Sequence, residues 1–371
     1  MQPLNVISRN LRTALAKKLL DKKERNTAVA VLKTDLQNQP VLDVSRFSSI
    51  LFVIHDDRIG DMVISTIPFR EIKKKYPNLK IFVLCGKNGK EVLKYNLNVD
   101  RVFEFYGKLS KDLKVYKELH KQKVGIIADF FEFNPRFLHL LSLRIINPSF
   151  LIGFFKKNYN TYDLSIDKDF FACHIVERHK ALLKVLGIDE IDLSYDIFFG
   201  PQEQAKAQQY IDKSPSKTKI AINPFASSKH RTFDKEKLKD LAWQIRQKKD
   251  CSVYILCPPS KYEFLKGIEN EGEGIFLVCL SSILCVAAFI KQCDIVISPD
   301  TSIVHIASAF KKKTIALYLD FSNRKEKTDI IWGPNNPNAV LINVDTQGGK
   351  VLNDINNIGN EEILKKLEGM K

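Results

Sequence analysis

The sequence predicts an α/β protein of two Rossmann-like halves, each a parallel sheet clad by helices, facing one another across a cleft. Three observations carry this. Short apolar runs alternate with amphipathic segments from Ser49 onward, the alternation restarts after Gly200-Pro201, and 371 residues exceed what one core comfortably fills.

Residues 1–45 stand apart as a basic helical extension. In NVISRNLRTALAKKLLDKKERN, Val6, Leu11, Leu15, Leu19 and Leu20 fall at helical spacing among Lys and Arg. Such a helix either packs on the body of the protein or lies on an anionic bilayer. TDLQNQPVLDVSRF then reads as a loop.

The first half, 46–200, opens with a strand at Ile50–Ile54 and a helix over Asp61–Lys75, with Met62, Ile64, Ile67 and Ile72 on one side. A strand at Leu79–Cys85, a helix at Lys87–Tyr95 and a short strand at Arg101–Phe105 follow. A helix at Tyr116–Gln122 and a strand in VGIIADF, 124–130, continue the pattern. FFGPQEQ, 198–204, is the boundary.

The second half, 201–371, repeats the scheme. Its strands are KIAINPF (219–225), CSVYILC (251–257), DIVIS (294–298) and TIALYL (314–319). Helices are expected at Asp234–Lys248, with Asp234 as N-cap, and at Ser282–Lys291, 301–310 and Asn360–Met370. The last of these could pack back on the first half. In such sheets ligands bind beyond the carboxyl ends of the strands, which places a site in the cleft between the halves.

Composition narrows the function. A net charge of +15 suits nucleic acid, nucleotide phosphates or an acidic membrane surface, and equally a solvated basic exterior. Basic residues are spread along the chain with no recognised nucleic-acid motif, so no nucleic acid is expected as partner. Seven cysteines without a CxxC pair argue against disulfides and zinc and for a reducing cytoplasm. The charged stretch Asn10–Asn26 does not read as a signal peptide, and Phe137–Phe155 is too interrupted by His139, Arg144 and Asn147-Pro148 to span a bilayer.

Three turns lie between a strand and a helix. HDDRIGDMVIS, 55–65, groups Asp56, Asp57, Arg58 and Asp61 around Gly60, with Asp56 and Asp57 as turn-formers or substrate contacts. NPFASSKHRTF, 223–233, offers Lys229 and Arg231 beside Ser227 and Ser228, donors able to clamp a diphosphate, or else a solvated loop. SPDTSIVH, 298–305, starts a helix whose free N–H groups suit a phosphate, with Thr301 and Ser302 adding hydroxyls and His305 one turn further. Plain capping by Asp300 or Thr301 and a packed core His305 would also account for it. The phosphate-cradling patterns GxxxxGK[ST] and GxGxxG are absent, and DKD at 167–169 reads as surface.

In this order the turns resemble glycosyltransferase family 9, the ADP-heptose:lipopolysaccharide heptosyltransferases. RIGDMVISTIPFREIKKKYPNLKIFVL is similar to that family's Gly-Asp loop and Thr-x-Pro helix, SPDTSIVHIASAFKKKTIALY to its Asp-Thr-Gly-x-x-His signature, and NPFASSKHRTFDKEKLKDLA to its Asn-Pro strand end with basic loop. WGPNNPNAVLI, 332–342, resembles the late Gly-Pro turn, so the likeness covers roughly 48–345. Ser302 stands where the family has glycine, and Phe233 where it has tryptophan.

The resemblance implies a GT-B architecture and an inverting, metal-independent transferase needing no cofactor. The donor would be ADP-L-glycero-β-D-manno-heptose. The acceptor would be an anionic Kdo-containing or heptosylated lipid A at the cytoplasmic face of the inner membrane. Asp61 would be the base, kept ionised at the positive end of its helix. Lys229, Arg231, Ser227, Ser228, Asp300, Thr301, Ser302 and His305 would hold the nucleotide-sugar, with Glu263 near the ribose, while Asp57, Arg58 and Gly60 would face the acceptor. RFLHLLSLRIINPSFLIGFFKK, 136–157, is either a buried helix or strand pair or a face toward bilayer or acceptor. A monomer is expected. The alternatives are a family 9 enzyme for another sugar, a sugar-nucleotide epimerase, a catalytically inactive binding module of the same fold, and a basic nucleic-acid binder.

Overall fold

Continuous apolar strands can be buried on both faces only inside a parallel sheet covered by helices. Both halves of the chain are organised this way in the computed structural model. It describes residues 32–34, 40–131, 135, 137–167, 170, 173–213, 216–248, 250–320, 328–346 and 352–370.

A small antiparallel pair, β1 (Leu32–Thr34) and β2 (Pro40–Leu42), precedes the first half. The expected loop is thus partly strand, and Leu42 and Val44 are buried in the main core. The helix expected before it lies outside the described residues.

The first half runs β3 (Ser49–Ile54), α1 (Ile59–Ile64), α2 (Thr66–Lys75), β4 (Lys80–Cys85), α3 (Lys87–Val92), β5 (Arg101–Glu104), α4 (Leu109–Lys121) and β6 (Ile126–Asp129). It continues with α5 (Phe137–Ile146), β7 (Phe150–Phe154), β8 (Leu164–Ile166) and α6 (Val176–Val185). Its parallel sheet has the order β5-β4-β3-β6-β7-β8. The chain winds outward from β3 and then, in the other direction, from β6. The gap between the ends of β3 and β6 is therefore a topological switch point.

The second half runs α7 (Pro201–Ile211), β9 (Thr218–Ile222), α8 (Lys235–Lys248), β10 (Cys251–Cys257), α9 (Tyr262–Leu265), β11 (Ile275–Cys279) and α10 (Ile283–Gln292). Then come β12 (Ile295–Pro299), α11 (Ser302–Ala309), β13 (Lys313–Tyr318), α12 (Thr328–Ile331), β14 (Ala339–Asn343) and α13 (Asn360–Glu368). The order β11-β10-β9-β12-β13-β14 repeats the winding, with its switch point between β9 and β12. All three turns singled out in the sequence follow β3, β9 or β12.

Some elements differ from the sequence reading. The helix expected over Asp61–Lys75 divides at Ser65. The Ser65 and Thr66 hydroxyls donate to the carbonyls of Asp61 (2.7 Å) and Val63 (2.6 Å), and Pro68 lacks an N–H to continue the first ladder. α4 begins at Leu109, about two turns before the expected Tyr116. The 136–157 stretch supplies α5 and the inner strand β7, with Leu140, Leu143 and Ile146 buried and Leu138 exposed. The C-terminal helix α13 packs on α8 and β13, burying Ile363, Leu364 and Leu367 in the core of the second half.

One apolar core joins the halves. It contains Phe52 and Met62 from the first and Tyr254, Phe289 and Ile306 from the second, where α1 meets α11. The connecting segment is held by Arg70, which donates to the carbonyls of Ser194 (2.8 Å) and Asp192 (2.5 Å) and to the Asp196 carboxylate (2.8 Å). Gly200 starts α7 under the Tyr95 ring, where a Cβ would come within 2.6 Å of ring atoms. Among the described residues no helix is long and apolar enough to cross a membrane.

Phe289 is fully buried with its ring 5.2 Å from that of Tyr254. Phe289→Ala should cost about 3–5 kcal/mol in urea titration. Because this core is shared, both halves should melt together.

Candidate active site

The loop after β3 is built by Asp57. Its Oδ1 accepts the N–H groups of Asn88 (2.8 Å) and Gly89 (3.1 Å) in the first turn of α3, and its carbonyl accepts Asn88 Nδ2 (3.1 Å). Gly86 lies so close that a Cβ would stand 2.3 Å from Asp57 Cγ. Of the two roles open to Asp57, turn-former or acceptor contact, its carboxylate is committed to shaping the turn. Arg58 pairs with Asp56 at 3.2 Å, and both are largely exposed, so this guanidinium stands at the cleft mouth.

Gly60 and Asp61 follow in α1, which packs against α11 of the second half. A Cβ on Gly60 would come within 2.9 Å of His305 Cδ2, so this contact requires glycine. The expectation that Asp61 stays ionised does not survive the packing. Burial pushes its pKa up to about 7, helped by Asp56 and Asp300 and opposed by Arg58 and Arg178. In a helix of only six residues the dipole is outweighed by desolvation.

Across the cleft, the turns after β9 and β12 are knotted together. Asn223 Nδ2 donates to Ser298 Oγ (3.0 Å), Thr301 Oγ1 (3.1 Å) and the Phe225 carbonyl (3.1 Å). Thr301 caps α11 by accepting the Ile303 N–H, and Ser302 is the first residue of that helix. Arg231 donates to Asp300 Oδ2 (2.8 Å), Ser227 Oγ (2.6 Å) and Ser228 Oγ (3.3 Å). Burial raises the pKa of Asp300, and Arg231 pulls it back.

Lys229 is exposed, and its side chain makes no hydrogen bond or ion pair among the described residues. Arg231, Ser227, Ser228, Asp300 and Thr301 are thus brought together, with Lys229 on the same short turn. Glu263 is not drawn into this group. It is exposed on α9, with only a long 3.9 Å approach to Lys266.

His305 is buried with its Nδ1 unsatisfied and its ring 6.0 Å from that of Tyr195. Burial lowers its pKa to about 3, so the ring is neutral near pH 7. Sequence reading missed its neighbours. His174 Nε2 donates to the Gly333 carbonyl (2.9 Å) and its Nδ1 accepts the Val176 N–H (3.2 Å), which fixes the tautomer. This joins the late Gly-Pro turn to the start of α6, where the Ile175 N–H also donates to Ile331 O (2.9 Å). Arg178, buried on α6 between the rings of Phe155 (5.9 Å) and Phe170 (5.7 Å), acts on Asp61 by charge. Neither residue belongs to a motif, so nothing in the sequence singles them out.

Beneath the loop, the first switch point is filled by a buried relay. His55 Nδ1 is 3.1 Å from His139 Nδ1, and His139 Nε2 lies 2.8 Å from Asp129 Oδ2, which also accepts Tyr162 OH at 2.5 Å. Burial opposes ionisation of Asp129, but His139, Tyr162 and Lys156 hold its pKa below the ordinary value. No cluster of three or more His, Cys, Asp or Glu suited to a metal ion occurs among the described residues. The cleft therefore presents a carboxyl poised near neutrality on one wall and cationic and hydroxyl donors on the other.

The profile of glycosyltransferase family 9 (heptosyltransferase) matches residues 146–356. The chain is 26% identical over 318 residues to the putative lipopolysaccharide heptosyltransferase 4 of Escherichia coli (strain K12), covering 82% of this chain and 84% of that protein. Its fold is similar to the family 9 glycosyl transferase of Veillonella parvula DSM 2008 (TM-score 0.72, 16% identity, 87% of this chain and 97% of the other). It is also similar to E. coli ADP-heptose lps heptosyltransferase II (TM-score 0.68, 15% identity, 87% and 98%). The two parallel sheets match the architecture that the sequence predicts.

The raised pKa of Asp61 has a stability consequence. Between the ordinary 3.8 and about 7 the folded state keeps a proton that the unfolded chain has released, so this group lowers stability as pH rises through that window. Asp61→Asn should raise Tm at about pH 8 and leave it near wild type at about pH 4. Equal shifts at both would contradict the buried carboxyl.

Proposed function

Because the chain belongs to glycosyltransferase family 9, we propose that it is a heptosyltransferase of lipopolysaccharide core assembly that uses Asp61 as its general base. In this reading the donor is ADP-heptose and the acceptor a phosphorylated, carboxylate-bearing inner-core lipid at the cytoplasmic face of the inner membrane. The half carrying β3–β8 takes the acceptor, and the half carrying β9–β14 takes the nucleotide-sugar.

The observation that carries this is the Asp61 carboxyl, with a pKa of about 7, lying where α1 meets α11. A base with that pKa is half ionised near neutrality and matched to abstracting a hydroxyl proton as the oxygen attacks. In a single displacement the acceptor O–H gives its proton to Asp61 and its oxygen bonds to the anomeric carbon. The bond from that carbon to the β-phosphate oxygen breaks, and ADP departs. The charge growing on the diphosphate is met by Lys229, by Arg231 and by the N–H groups opening α11. Arg58, exposed at the mouth, steers the anionic acceptor. The 26% identity to the putative lipopolysaccharide heptosyltransferase 4 of Escherichia coli supports a heptosyl donor and a lipopolysaccharide acceptor.

Transfer from ADP-heptose to purified inner-core acceptors tests this. The expected products are ADP and an acceptor heavier by one heptose, whereas an epimerase would leave the acceptor mass unchanged. Asp61→Asn should lower kcat by about 10²–10⁴-fold. Wild-type kcat should rise with pH and level off above about 7, and the variant should lose this limb. Full activity in Asp61→Asn would sink the assignment.

The two cations should separate in a second measurement. Lys229→Met should weaken ADP binding about 10- to 100-fold with Tm unchanged. Arg231→Met should lower both, because Arg231 also organises its own loop.

A further inference from the structure

Helix α3 touches both halves of the chain. Its first turn is held by Asp57 of the loop after β3, through the Asn88 and Gly89 N–H groups. Near its other end, Glu91 reaches into the second half, where its Oε1 accepts the Ser282 hydroxyl (2.8 Å) and the Ile283 N–H (3.1 Å). Ser282 is the N-cap of α10, accepting the Leu284 N–H at 3.2 Å. Glu91 thus brings a carboxylate from one half to the positive end of a ten-residue helix in the other. α10 packs directly on α11, whose N-terminus forms the donor side of the cleft.

On the reading of the cleft given above, we propose that Glu91 is a positioning residue that couples acceptor binding to nucleotide binding. α3 is six residues long, about 9 Å, and is hydrogen-bonded throughout its length, so it moves as one piece. An acceptor pressing on the loop at Arg58 fixes Asp57, Asp57 fixes α3, and α3 holds Glu91 against the start of α10. The Glu91 contacts exist only when the halves are docked. Whatever steadies the loop therefore stabilises the docked arrangement, and the second ligand meets walls already in place.

The test uses the full chain and titrates ADP calorimetrically with and without a purified truncated inner-core lipopolysaccharide. In the wild type the acceptor should tighten ADP binding by a factor within the usual range of about 5 to 150. Glu91→Ala should bring that factor close to one while ADP affinity in the absence of acceptor changes little. Glu91→Gln keeps an oxygen acceptor and should retain most of the coupling, whereas Glu91→Met keeps similar bulk without the acceptor and should lose it, the reverse of what a merely space-filling role predicts. Small-angle scattering supplies a readout independent of ligands: Glu91→Ala should show a larger radius of gyration than wild type.

A wild-type coupling factor preserved in Glu91→Ala, or an unchanged radius, would overturn the proposal. A wild type that binds ADP without sensing the acceptor would overturn it too, leaving the enzymatic reading intact. A wild type that binds no ADP would overturn that reading, and the scattering comparison alone would then decide the latch.

Discussion

The approach of α1 to α11, permitted because Gly60 carries no side chain, sets the spacing on which the rest of the cleft depends. Each sheet presents its switch point at the carboxyl ends of its strands, and such crevices are common in α/β proteins. Here two of them are brought face to face by an apolar core that runs between the halves. The polar groups lie at the rim of that core. Their geometry is therefore inherited from packing that has no chemistry of its own.

The same packing sets the electrostatics. Asp61 is a first-half residue whose proton affinity is raised by burial and by its neighbour Asp56, with a smaller contribution from the Asp300 carboxylate of the second half. On the facing wall, Arg231 is held by Asp300 and two serines, and Lys229 stands uncommitted beside it. Fixed donors of this kind need no rearrangement when negative charge develops beside them.

Most strands could be read directly because each is a short, nearly unbroken apolar run. Elements that carry less contrast escaped. α7 buries only Glu203, Ala207 and Ile211 among eleven residues, too faint a stripe to mark a helix. The three strand-end turns were legible because ligand sites in such sheets must lie there. What each residue does within a turn was not, since it depends on partners remote in sequence. Asp57 is committed to N–H groups some thirty residues away, His174 to a carbonyl beyond residue 330, and Arg178 to a charge in another helix. The proton on Asp61 was misjudged for the same reason. A local rule about helix ends was overruled by desolvation that only the tertiary arrangement supplies.

A core common to both sheets also bears on how enzymes of this design can diversify. Two halves that met only through solvent could be recombined freely. Here a transplanted first half would have to bring a matching α1 surface for α11, a glycine opposite His305, and a carboxylate for the start of α10. Change is more readily accommodated at exposed rim positions such as Arg58, which leave the joined interior untouched.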